Sequence, residues 1–130
     1  MDFPEIAKSE ERRLDVRHDT ELPAYFLIGA DSFPVTVRDY STNGLFVAFD
    51  KAPPPSERVQ GWVGVSAVID AAQSAVAEIA ATTGIETLTV EPIAVRVVHA
   101  VRNGLGIHID RLLSAWATTL EAAAKRKTQP

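Results

Sequence analysis

The sequence predicts a small, mainly β fold, an antiparallel barrel or sandwich, on three observations. Apolar residues alternate with polar ones at period two over short runs, the mark of a strand with one buried face. Asn-Gly pairs at Asn43-Gly44 and Asn103-Gly104 each separate two such runs, and that dipeptide is the strongest short signal for a tight β-hairpin turn. Helical spacing is confined to one central and one terminal stretch, so helices decorate the fold and do not form it.

Taken in order, residues 1–20 mix charges of both signs with little apolar periodicity. They are expected to form an N-terminal arm that stays loose until something orders it, with residues 21–130 as the folded domain. Residues 22–30 are rich in aromatic and branched side chains and predict a strand, closed by Gly29 and Asp31-Ser32. Residues 34–38 and 45–49 predict a hairpin about Asn43-Gly44. Pro53-Pro54-Pro55 is a stiff break, because proline removes ladder donors and fixes φ. Residues 58–65 predict a further strand, weakened by Gly61 and Gly64.

Residues 66–83 change character. At about 100° per residue, Val68, Ile69, Ala72, Ala75, Val76, Ile79 and Ala80 fall on one arc, with Ser66, Asp70, Gln73, Ser74 and Glu78 opposite. This predicts an amphipathic helix near residues 66–83, with Ser66 as N-cap and Gly84 as terminator. Its apolar face should rest on the sheet or on a second copy of the chain, which makes a homo-oligomer an expectation. Strands are predicted at 85–90 and 93–101, and a return strand at 105–109 follows Asn103-Gly104. From Asp110 a C-terminal helix carries Leu112, Leu113, Trp116, Leu120 and Ala123 in a stripe. It ends in Lys125-Arg126-Lys127, where cations suit the helix dipole.

Composition narrows the function. A chain of 130 residues, 46% apolar, is long enough for one domain with a real core. With no cysteine, thiolate chemistry, disulfides and cysteine metal sites are excluded. A net charge of −4 has the wrong sign for general nucleic-acid binding, which depends on phosphate neutralisation. No export signal and no apolar run of membrane-spanning length is visible, so the expectation is a soluble, cytoplasmic protein without membrane partners. His18, His99 and His108 are far apart and lack ligand spacing, so no metal site is expected; His18, directly after an arginine cluster, could reach a phosphate. Nucleophile elbow, HExxH and P-loop patterns are all absent, which argues against an enzyme. Trp62 and Trp116 are expected in the core.

Two short segments carry the functional signal. Arg12-Arg13-Leu14-Asp15-Val16-Arg17 contains an RxxxR pattern, and Asp39-Tyr40-Ser41-Thr42-Asn43-Gly44 contains DxSxxG. Arginine's planar fork grips phosphate with two parallel charged hydrogen bonds, and it stacks on aromatic rings. Asp, Ser and Gly on a tight turn add a carboxylate acceptor, a hydroxyl and an open backbone. Nearby acids such as Glu10 and Glu11 also offer the arginines ordinary ion pairs, and Asn43-Gly44 serves equally as a plain hairpin turn.

In order and surroundings, these segments resemble the PilZ domain family. So do Ala94-Val95-Arg96-Val97-Val98-His99 and Gly104-Leu105-Gly106-Ile107, which look like that family's last two strands. The resemblance spans about residues 10–50 and 92–126. It implies a six-stranded PilZ-type barrel with its terminal helix across one end, the 66–83 helix being an insertion. It also implies a receptor for cyclic di-GMP that needs no cofactor and signals to an unidentified protein partner. By motif position, Arg13 and Arg17, with Arg12 beside them, would form the ligand site's basic side, Arg13 and Arg17 clamping phosphates and guanine faces or edges. Asp39 would accept from a guanine amino or imino group, Ser41 would place a hydroxyl, and Gly44, in the same turn as Asn43, would let the backbone approach. In that family a basic residue directly before RxxxR, here Arg12, is associated with two intercalated ligands per chain. The alternative is a PilZ-fold adaptor in pilus or flagellar control, acting through protein contacts with little or no nucleotide binding.

Overall fold

A computed structural model describes residues 16–85 and 88–128. Six antiparallel strands close into a barrel in the order β1-β2-β3-β6-β5-β4, with β1 pairing β4 to complete it. The strands are β1 (His18–Ile28), β2 (Asp31–Tyr40), β3 (Gly44–Phe49), β4 (Ser66–Ala71), β5 (Ile93–Val101) and β6 (Gly104–His108). The helices are α1 (Ser56–Gln60), α2 (Gln73–Thr83) and the C-terminal α3 (Ser114–Thr128). Closure removes the unpaired edges that make small sheets aggregate.

Strand alternation fills the interior. In β1, Leu22, Ala24, Phe26 and Ile28 are buried while every residue between them is exposed. Val35, Val37, Leu45, Val47, Ile69, Val97, Leu105 and Ile107 join them from the other strands. Phe33, Phe49 and Phe26 pack around the buried Trp62, and Arg58 lies over the Phe33 and Trp62 rings. Helix α3 seats Trp116, Leu120 and Ala123 in the core, and the buried Thr20 hydroxyl donates to the Leu120 carbonyl at 2.7 Å.

Three predicted elements differ from the structure. Ser66–Ala71 is strand β4, and the amphipathic helix begins only at Gln73, capped by the backbone of Ala72 and not by Ser66. The physical reason is closure: Ala67, Ile69 and Ala71 alternate inward, and this strand alone joins β1 to β5. The helix still ends at Gly84, whose φ of 76° is left-handed, and its Ala75, Val76 and Ile79 are buried within this chain. That face is therefore spent internally and is no free surface for a second copy.

Residues 58–65 are not a strand. Ser56–Gln60 is a short helix after Pro55, and the turn beyond it, with Gly64 at φ 87°, drops Trp62 into the aromatic cluster. Nor do residues 85 and 88–90 form a strand. Strand β1 starts at His18, ahead of the expected 22, and α3 starts at Ser114, not Asp110. Among the described residues no helix is long and apolar enough to cross a membrane.

Candidate functional site

A cleft of about 350 Å³ lies on the outer face of strands β2, β3, β6 and β5, within the size range of small-molecule sites. Register decides what lines it. Asp39 pairs with Phe46, Phe46 with Gly106, and Gly106 with His99, so four strands contribute one continuous row. The next outward row sets Gly44 against His108 and His108 against Arg96.

Two β-bulges aim the ends of the first row. One lies between Val37 and Asp39 on β2, the other between Val97 and His99 on β5. Each adds a residue that breaks strict alternation and re-aims the side chains that follow. In β5 the consequence is direct: after the buried Val95 and Val97, both Val98 and His99 are exposed.

Arg17, just ahead of β1, reaches across to this surface. Its Nε donates to Asp39 Oδ1 at 2.6 Å, with both side chains partly exposed. The two motif segments thus meet in space although 22 positions separate these residues. Gly44 sits beneath them; a Cβ there would come within 3.5 Å of Arg17 Nη1 and 3.4 Å of the Ile107 carbonyl. These are ordinary van der Waals distances, so the guanidinium lies against the Gly44 backbone without requiring a glycine there.

The remaining motif residues build the turn. Ser41 is buried; its N–H donates to the Gly44 carbonyl at 2.8 Å, and its hydroxyl points to the same oxygen at 3.4 Å. It closes the hairpin and does not line the cleft. Asn43 lines the cleft, and its amide donates to the Asp110 carbonyl at 2.7 Å. With Ile109 N–H donating to the Asn43 carbonyl at 2.9 Å, this pins the turn to the strand exit of β6. Arg12 and Arg13 lie outside the described residues.

Arg17, Asp39, Asn43 and Gly44 therefore come together. Seven further lining residues escaped the sequence reading as site residues: the buried Leu45 and Ile107, and Phe46, Val98, His99, Gly106 and His108. The available signal was the Asn-Gly turns, which fix register, but the bulge that turns His99 outward leaves no mark in composition. His108 Nε2 lies 3.8 Å from Asp110 Oδ1, a contact that is ionic only when the imidazole is protonated.

A second cleft of about 400 Å³ lies between β1, β2, α2 and α3. Two of its cations already face acids across it, Arg38 with Glu21 at 2.9 Å and Arg126 with Glu78 at 3.1 Å. It holds none of the motif residues. Behind the DxSxxG turn, burial and then the Glu121 carboxylate raise the Tyr40 pKa above 10.0, because both oppose a phenolate. Among the described residues no group of three or more His, Asp or Glu could hold a metal ion. No family model matches the chain, and no curated protein matches it significantly.

Proposed function

We propose that this chain is a PilZ-type receptor for cyclic di-GMP, a signal reader and not an enzyme. The observation that carries the reading is the 2.6 Å contact of Arg17 with Asp39 in an open cleft of ligand size. It unites the halves of two motifs whose residue chemistry suits a guanine nucleotide. Asp39 would accept from the guanine N–H groups, and Arg17 would offer its fork to phosphate or to the paired O6 and N7 acceptors. Arg13, and Arg12 beside it, would supply further positive charge from the same segment. The ligand would draw that segment onto the barrel, and the altered surface would be read by a protein partner.

Calorimetric titration of cyclic di-GMP tests this. The wild type should bind with micromolar or better affinity. Arg17→Ala and Arg13→Ala should each weaken binding about 30-fold or more, since removing one desolvated charged contact costs about 2–5 kcal/mol. Asp39→Ala should weaken it less, because a neutral guanine edge is the weaker partner. No heat with the wild type, or unchanged affinity in both arginine variants, overturns the reading.

The adaptor reading draws on the opposite side of the barrel, where Tyr25 and Leu27 of β1 stand exposed at 45% and 36%. It predicts weak heat or none with the nucleotide, against micromolar or better affinity on the receptor reading, so one titration separates the two.

A further inference from the structure

We propose that Phe46 and His99 form an aromatic platform on which a heterocyclic base of the ligand stacks. The inference rests on the nucleotide reading above and extends its site to residues outside both motifs. The two side chains stand in one register row with Asp39, on either side of Gly106. Their Cα atoms are therefore about 10 Å apart, two strand spacings.

Gly104 and Gly106 make this arrangement possible. A Cβ on Gly104 would fall 2.6 Å from Phe46 Cζ, so the phenyl ring occupies the space a side chain would take. A Cβ on Gly106 would fall 3.2 Å from His99 Cβ and 3.9 Å from Cγ and Cδ2, so Gly106 lets the base of the His99 side chain approach closely while the ring stands beside it at ordinary contact distance. The Phe46 ring thus settles against the sheet in place of a neighbouring side chain and is half-buried, and the His99 side chain stands exposed beside Gly106. The β5 bulge supplies the second ring, since unbroken alternation after Val97 would turn His99 inward.

Flat aromatic groups on a sheet surface, next to a cation, are what base stacking uses, because every base presents a π face. Arg17 provides the cation and Asp39 an acceptor at the far end of the row. A base lying across Phe46 and Gly106 would meet both rings, with one edge directed toward Asp39. Beside His108, among the described residues, stand Arg96, its register partner, and the Asp110 carboxylate at 3.8 Å.

Cyclic di-GMP titrated into wild type, His99→Ala, His99→Phe and Phe46→Leu tests the proposal, with thermal unfolding to confirm that each variant is folded. His99→Ala should lose about 5- to 100-fold in affinity, the range for removing one stacking partner, while His99→Phe binds like the wild type. Upfield shifts of the His99 ring protons on ligand addition should accompany wild-type binding. Wild-type affinity in both His99→Ala and Phe46→Leu overturns the platform and leaves the Arg17–Asp39 site standing. Equal loss in His99→Ala and His99→Phe also overturns it, because the imidazole would then act by hydrogen bonding. A wild type that gives no heat removes the nucleotide reading and this inference together.

Discussion

At the scale of single residues, the chain shows how a missing side chain can matter as much as one that is present. Gly104 has no room for a Cβ: besides the Phe46 ring, the Val47 carbonyl oxygen would be 2.4 Å away. A ring can turn, but a strand carbonyl held in its ladder cannot. Gly104→Ala should therefore destabilise the fold by about 1–3 kcal/mol, toward the upper end of the overpacking range, as read by chemical denaturation. Tyr40 offers a test by pH. Its folded-state pKa is raised, so the native state holds that proton more tightly than the unfolded chain does. The resulting stability is fully present below the unfolded value of 10.0 and is lost as pH rises through the higher folded value. Tyrosine absorbance should show a group titrating above pH 10.0 that disappears in Tyr40→Phe, and the variant's stability should fall less steeply over that alkaline window.

At the scale of elements, helix α2 earns its place by packing. Val76 is 5% exposed and Ile79 1%, whereas Glu78 faces solvent and pairs with Arg126 of α3 at 3.1 Å. Val76→Asp would bury an unpaired charge at a cost on the order of 3 kcal/mol. That corresponds to a melting temperature lower by roughly 10 °C for a chain of this size. Glu78→Gln breaks only an exposed ion pair and should stay within about 1 kcal/mol. If thermal unfolding ranks the two variants the other way, the assignment of the helix faces is wrong. The same helix explains the misreading of its N-terminal neighbour. Ala67, Ile69 and Ala71 satisfy strand alternation, while Val68, Ile69 and Ala72 satisfy helical spacing over the same residues. Local pattern could not choose between them, and pairing with β1 and β5 did.

At the scale of the molecule, barrel closure turns a linear pair of motifs into one surface. Strands β2, β3, β6 and β5 present their outer faces side by side, and the cleft draws on all four. On the receptor reading, the number of ligands held there depends on charge. Two stacked cyclic di-GMP molecules bring four phosphates together, and a third arginine offsets repulsion that two cannot. Titration to saturation should give about two ligands per chain, falling toward one in Arg12→Leu. A wild-type ratio of one refutes the role given to Arg12 and leaves the binding site intact.

What the sequence determined by itself was whatever depends on neighbours in the chain. Period-two alternation gave β1, β2, β3, β5 and β6. The Asn-Gly pairs located two of the hairpins, although their glycines open β3 and β6 and the turns end at the asparagines; Gly84 gave the end of α2, and the terminal stripe gave α3. The closed six-stranded antiparallel barrel was expected, with its C-terminal helix. The tertiary structure alone decided the rest. It made Ser66–Ala71 the closing strand, folded residues 56–64 into a helix and turn that bury Trp62, and turned Ser41 inward to its hairpin. It also brought Phe46, His99 and His108 into the cleft with Arg17 and Asp39. These outcomes depend on register between strands distant in sequence and on bulges that shift it by one residue. A one-residue shift moves a side chain to the other face of the sheet without changing composition or spacing.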